Sequence, residues 1–167
     1  PIKSSAASDV YKRQILDIWE RIGKITNWDL VIIGDGCIRQ KLEQTVRDKQ
    51  IQRVSFTGQV NHPEEYYKSA KIILLTSSFE GFPMCLIEAL RFGVIPLTFD
   101  ISAGVRSIVS NSGGIIIKNR NSNEMFLKLQ ELITNKYLHL LSEKARLKSN
   151  RYTLNRIGEQ WINLLRK

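Results

Sequence analysis

Apolar and polar positions follow two different rhythms along this chain. Five short runs are almost continuously aliphatic or β-branched: DLVIIG (29–34), RVSFTG (53–58), KIILLT (71–76), VIPLTF (94–99) and GIIIKN (114–119). A strand covered on both faces needs an apolar residue at every position, so runs of this kind predict buried strands rather than one-sided ones. Between them the spacing turns helical. Ile15, Ile18, Trp19 and Ile22 recur at i, i+3, i+4 and i+7, and IRQKLEQTVRDK (38–49) sets Leu42 and Val46 among charges. PEEYYKSA (63–70) opens with Pro63, which suits a first helical turn because its missing N–H would have no partner there. Strands alternating with helices at these intervals predict a parallel sheet of about five strands with helices on both faces. Beyond residue 120 the strands stop, and 122–134, 136–149 and 155–167 read as three helices, the first capped by the side chains of Asn121-Ser122-Asn123.

Composition narrows the partners more than the fold. With 167 residues, 43% of them hydrophobic and 25% charged, the chain can bury one sizeable core, and no apolar run reaches the roughly 20 residues that span a bilayer. The start, PIKSSAASDVYKRQ, has no signal-peptide hydrophobic region, so a cytoplasmic location is the expectation. Cys37 and Cys85 stand far apart in no CxxC pattern, and His62 and His139 have no companion cluster; reduced thiols and no metal are expected. The formal charge of +9 points to anionic partners, but its Lys and Arg are dispersed and carry no aromatic or zinc-finger pattern, so nucleic acid is not among those expected.

In a parallel wound sheet, ligands meet the loops at the carboxyl ends of the strands. Four loops therefore matter: 34–36, 58–61, 77–83 and 100–104. IIGDGCIRQ begins like a dinucleotide fingerprint, but Arg39 stands where a third glycine would allow close helix–strand packing. It reads as a tight turn, with Gly34 at the border of a ligand. No GxxxxGK[ST] segment is present. The segment SSFEGFPMCLIEAL (77–90) carries more chemistry. Gly81 permits close backbone approach and Pro83 suits a helix start. The amides near Met84 and Cys85 would face outward, where a diphosphate is favoured by the local dipoles. Glu80 can face the same cleft, and Glu88, one turn into the helix, can turn back to accept two hydroxyls. Each carboxylate alone also fits an exposed helix or loop position, Glu88 with Arg91 three residues on.

FEGFPMCLIEAL resembles the E-x7-E segment of GT-B glycosyltransferases of the retaining family 4 (group 1). WDLVIIGDG, RVSFTGQV, YYKSAKIILLTSS, EALRFGVIPLTFD and GGIII follow the family order, so the resemblance runs from about Ile15 to about Leu165. It implies a Rossmann-like half of a GT-B fold with a C-terminal helical tail: the C-terminal, donor-binding domain of an N-terminally truncated transferase. It implies that Glu80 acts catalytically by contacting the donor sugar, that Glu88 holds the ribose, that Gly81, Phe82, Pro83, Met84 and Cys85 receive the diphosphate, and that Val60 borders the base. The donor would be a nucleoside-diphosphate sugar of UDP or GDP type, with no further cofactor and no metal. A glycan or lipid-linked acceptor would bind through the absent N-terminal domain, with a possible peripheral contact at the inner face of the membrane. The fragment by itself is expected to be inactive. Another GT-B enzyme, such as an epimerase, and a non-catalytic nucleotide-binding module remain the alternatives. SAASDVYKRQ resembles translated sequencing-adapter sequence, so residues 1–14 are expected to be a non-native or disordered terminus and 15–167 the domain. Ala103 and Ser107 depart from the family's pattern.

Overall fold

The computed structural model describes residues 6–166 other than Phe79, with residues 6–12 described by their backbone alone. In chain order the elements are α1 (Ala6–Ile22), β1 (Leu30–Ile33), α2 (Arg39–Asp48), β2 (Val54–Gly58), α3 (Glu64–Ser69), β3 (Ile72–Leu75), α4 (Met84–Arg91), β4 (Ile95–Phe99), α5 (Ala103–Val109), β5 (Ile115–Ile117), α6 (Ser122–Thr134), α7 (Leu138–Ser149) and α8 (Leu154–Leu165). Every strand falls inside the apolar run that predicted it. No glycine or proline interrupts 6–22, and α1 runs through residues 6–14 of the stretch read as a terminus; residues 1–5 lie outside the described residues.

The paired strands among the described residues run parallel, with Leu30 opposite Val54, Ile72 opposite Ile95 and Leu97 opposite Ile115. The five strands nevertheless divide into two sheets, β1–β2 and β3–β4–β5. Apolar runs identify strands but not their neighbours, so this division is not visible in the periodicity. The two sheets share one core, in which Leu16, Trp19 and Ile22 of α1 meet Leu42 of α2, Leu97 and Phe99 of β4, and Leu129 and Leu132 of α6. A second cluster joins Leu86 and Leu90 of α4 to Val105 and Ile108 of α5 and Ala145 of α7. Strand β4, paired on both edges and covered on both faces, is buried at every residue.

The caps follow side-chain chemistry. The Asn121 Oδ1 accepts from the backbone N–H of Asn123 and of Glu124, at 3.0 and 3.1 Å, and so starts α6 as predicted. The Ser102 Oγ accepts from the Val105 N–H at 3.1 Å and starts α5.

Candidate functional site

Chain order moves outward in opposite directions in the two sheets, from β1 to β2 on one side and from β3 through β4 to β5 on the other. Such a reversal opens a crevice at the carboxyl end of the strands, and the loop leaving β3 stands beside it. That loop, 76–83, is fixed by its neighbours. The Arg120 guanidinium donates to the Ser78 carbonyl at 2.6 Å, and the Ser102 hydroxyl reaches the Gly81 carbonyl at 3.4 Å. Gly104, at the start of α5, packs so close to the Gly81 carbonyl that a Cβ there would collide with it. The Phe82 ring meets Tyr152 edge-on at 6.0 Å. Loops after β3 and β4 are thereby joined into one rim.

Pro83 is buried with extended backbone (φ −72°, ψ 106°) and turns the chain into α4, which receives no side-chain cap. Free amides of a first turn need an outside acceptor when no cap supplies one. Met84 is exposed beside them, while Cys85 points into partly buried surroundings. Burial pushes the Cys85 thiol up to about 11, with the carboxylates of Glu80 and Glu88 adding to the shift. Both carboxylates therefore lie near enough to Cys85 to raise its thiol, Glu80 from the loop before α4 and Glu88 from within the helix. Glu88 is exposed, and its Oε2 accepts from the Tyr67 hydroxyl of α3 at 3.3 Å. Burial, followed by the nearness of Glu88 and Cys85, raises the Tyr67 phenol well above its ordinary value. Tyr67 in turn stacks on Phe92 with ring centroids 6.0 Å apart. A carboxylate has about four acceptor positions, so one hydrogen bond from Tyr67 leaves Glu88 able to accept more.

Gly34 and Val60 stand in the other half, at the ends of β1 and β2. Gly34 adopts φ 112° and donates its N–H to the Gly58 carbonyl at 2.8 Å, which ties these two loops together. Gly58, at φ 72°, lies under the Arg39 guanidinium, itself paired with Glu43 at 2.7 Å. Arg39 thus fills the space that a dinucleotide fingerprint keeps open. Sequence reasoning named the 100–104 loop that holds Ser102 but did not find Tyr67 or Arg120 as parts of this rim. Their contacts span 21 to 42 residues of chain, and no local pattern marks them. Among the described residues, no cluster of three or more His, Cys, Asp or Glu could hold a metal ion.

The family model for glycosyl transferases group 1 matches residues 11–153. The chain belongs to that family. Among its relatives, an uncharacterized glycosyltransferase of Haemophilus influenzae is 34% identical over 155 residues, covering 90% of this chain and 44% of the relative. The amylovoran biosynthesis glycosyltransferase AmsD of Erwinia amylovora is 30% identical, covering 91% of this chain and 43% of its own length. A structure of Staphylococcus aureus TarM in complex with UDP superposes with a TM-score of 0.82 at 27% identity, over 99% of this chain and 34% of TarM. The chain thus spans under half the length of these proteins, and its wound sheets and C-terminal helices correspond to one part of a GT-B fold.

Proposed function

We propose that this chain is the donor-binding half of a retaining glycosyltransferase, which moves a sugar from a nucleoside diphosphate to an acceptor hydroxyl. The observation that carries the reading is the uncapped start of α4, with Glu80 in the loop before it and Glu88, bound by the Tyr67 hydroxyl, one turn in. Glu88 holds the ribose hydroxyls, with Tyr67 orienting its carboxylate. The amides from Gly81 through Cys85, with Phe82 and Pro83 shaping the turn, receive the diphosphate at the helix start. Glu80 faces the sugar, where a carboxylate near the anomeric carbon stabilises the positive charge that develops as the C1–O bond to the diphosphate breaks. The acceptor oxygen then bonds to C1 on the same face and passes its proton to the departing diphosphate oxygen. Val60 and Gly34, across the crevice, border the base. UDP is the favoured nucleotide, because TarM at 27% identity was solved with UDP.

Residues 15–167 form this domain, and the acceptor, a glycan or a lipid-linked chain, binds to the remainder of the longer protein. No helix of the described residues is long and apolar enough to cross a membrane. The charge of +9, with exposed Leu154, Trp161, Leu164 and Leu165 on α8, supports a peripheral contact with anionic lipid at the cytoplasmic face.

Titration of the isotopically labelled chain with UDP, GDP and ADP tests the site. Saturable shifts are expected with UDP, centred on 80–90, and Glu88→Gln should weaken binding by roughly tenfold or more, the loss of hydrogen bonds to a charged acceptor. A mutant that binds UDP as tightly as the original would remove Glu88 from the site.

A further inference from the structure

Two successive residues of the turn after β5 stand in the left-handed region, Asn119 at φ 52° and Arg120 at φ 49°. Asparagine tolerates that conformation, whereas arginine has a Cβ that crowds the backbone and no short polar group to compensate. The turn is also fixed at both ends. Ile117, which ends β5, is buried, and its carbonyl accepts from the Asp100 N–H at 2.9 Å. Asn121 caps α6 through the N–H groups of Asn123 and Glu124. The backbone held between these anchors sets the direction in which the Arg120 side chain leaves the turn.

What it reaches is distant. In the order β3–β4–β5, the strands that lead into the two loops are two spacings, about 10 Å, apart. The Arg120 guanidinium spans that interval and donates to the Ser78 carbonyl at 2.6 Å, which is short even for a charge-assisted hydrogen bond. Ser78 lies two residues before Glu80. One residue after Glu80, the Gly81 carbonyl meets the Ser102 hydroxyl at 3.4 Å and the close-packed Gly104. Glu80 thus lies between two fastenings, one from each of the loops after β4 and β5. The Ser102 contact is long, so the charged donor at Ser78 is the stronger of the two.

We propose that Arg120 is the positioning residue for Glu80: its guanidinium holds the 76–83 loop in the arrangement that presents this carboxylate, and the amides that follow it, to the donor. The inference rests on the donor reading for what the loop binds, but not for how the loop is held. A role confined to the turn would be better filled by glycine or asparagine, which take φ 49° with less strain. Here the strain coexists with a side chain long enough to reach Ser78, and a strained conformation of this kind persists where it serves a site. Order in the loop translates directly into affinity. A loop that occupies the competent arrangement about a fifth of the time binds its ligand about fivefold more weakly.

Variants of the isotopically labelled, full 167-residue chain separate the side chain from the turn. Arg120→Asn accepts the left-handed region but is too short to reach Ser78. Arg120→Lys keeps the length and the charge. Asn119→Gly relaxes the turn and leaves the guanidinium in place. In Arg120→Asn, the backbone order parameters of Ser78, Glu80 and Gly81 should fall from about 0.85 to below about 0.6. UDP should bind about fivefold more weakly, while the Tm stays within about 3 °C of the original. Arg120→Lys should recover the order parameters and most of the affinity, and Asn119→Gly should alter neither. The proposal is overturned if Arg120→Asn leaves the loop ordered and the affinity intact, if lysine behaves as asparagine does, or if Asn119→Gly loosens the loop equally. A fall in Tm with the loop still ordered also overturns it, because Arg120 would then prop the turn alone. If the original chain binds no UDP, the donor reading falls, and with it the part of Arg120 in binding, whereas the order parameters still decide whether Arg120 holds the loop.

Discussion

Strands β1 and β4 are drawn from runs of similar apolarity, yet they experience different surroundings. All five residues of β4 are buried, whereas Val31 and Ile33 of β1 remain 41% and 40% exposed. The contrast arises from partners. β4 is paired on both edges, roofed by α6 on one face and by the α4–α5 cluster near the other, while β1 is paired on one edge. Apolar content makes a strand; the number of neighbours decides how much free energy it returns.

That contrast can be broken most directly by truncating matched positions. Phe99→Ala in β4 should cost about 3–5 kcal/mol, the combined loss of transfer energy and of the cavity left behind. Val31→Ala in β1 should cost under about 1 kcal/mol, because its side chain is already partly in water. Chemical denaturation with a constant m-value checks both. Equal losses would mean that β1 is as enclosed as β4 and that the two halves do not differ. The rim of the candidate site offers an intermediate effect. Gly104→Ala forces a methyl group onto the Gly81 carbonyl and should cost about 1–3 kcal/mol. It should also weaken UDP binding by shifting the 76–83 loop, whereas an alanine at Gly36, where a Cβ meets open space, should leave stability nearly unchanged.

The smallest effect concerns pH. An unfolded cysteine releases its proton near 9.0, while Cys85 in the folded chain holds it to about 11. The unfolded state therefore loses the proton first, so this contribution to stability is full below pH 9 and declines between 9 and 11. Alkylation of Cys85 followed by mass spectrometry should show a rate still climbing at pH 10. A plateau by pH 9 would mean that the thiol is exposed to water rather than buried beside the two carboxylates.

Much of this was legible from residues alone. The five strands are continuous apolar runs, the Asn121 cap is a local hydrogen bond, and the Glu80–Glu88 segment is contiguous, so pattern and spacing reach all of them. Tyr67 and Arg120 were not legible, because their contacts are made by tertiary packing between elements far apart in sequence. The split of the sheet between β1 and β3 was hidden for a related reason. Periodicity reports which face of a strand is covered, but pairing is a property of two strands, and a run such as VII carries no mark of what lies beside it.

Every strand pair in the fold, β1–β2, β3–β4 and β4–β5, joins strands consecutive in the chain across a single intervening helix. Pairings this local cost little loop-closure entropy and form early. On a ribosome β1 and β2 emerge first, and their apolar faces wait for β4, β5 and α6 before the core they share can close. The nascent chain must therefore carry an uncovered apolar face through most of its synthesis, which makes β1 the segment most open to chaperones and to mispairing.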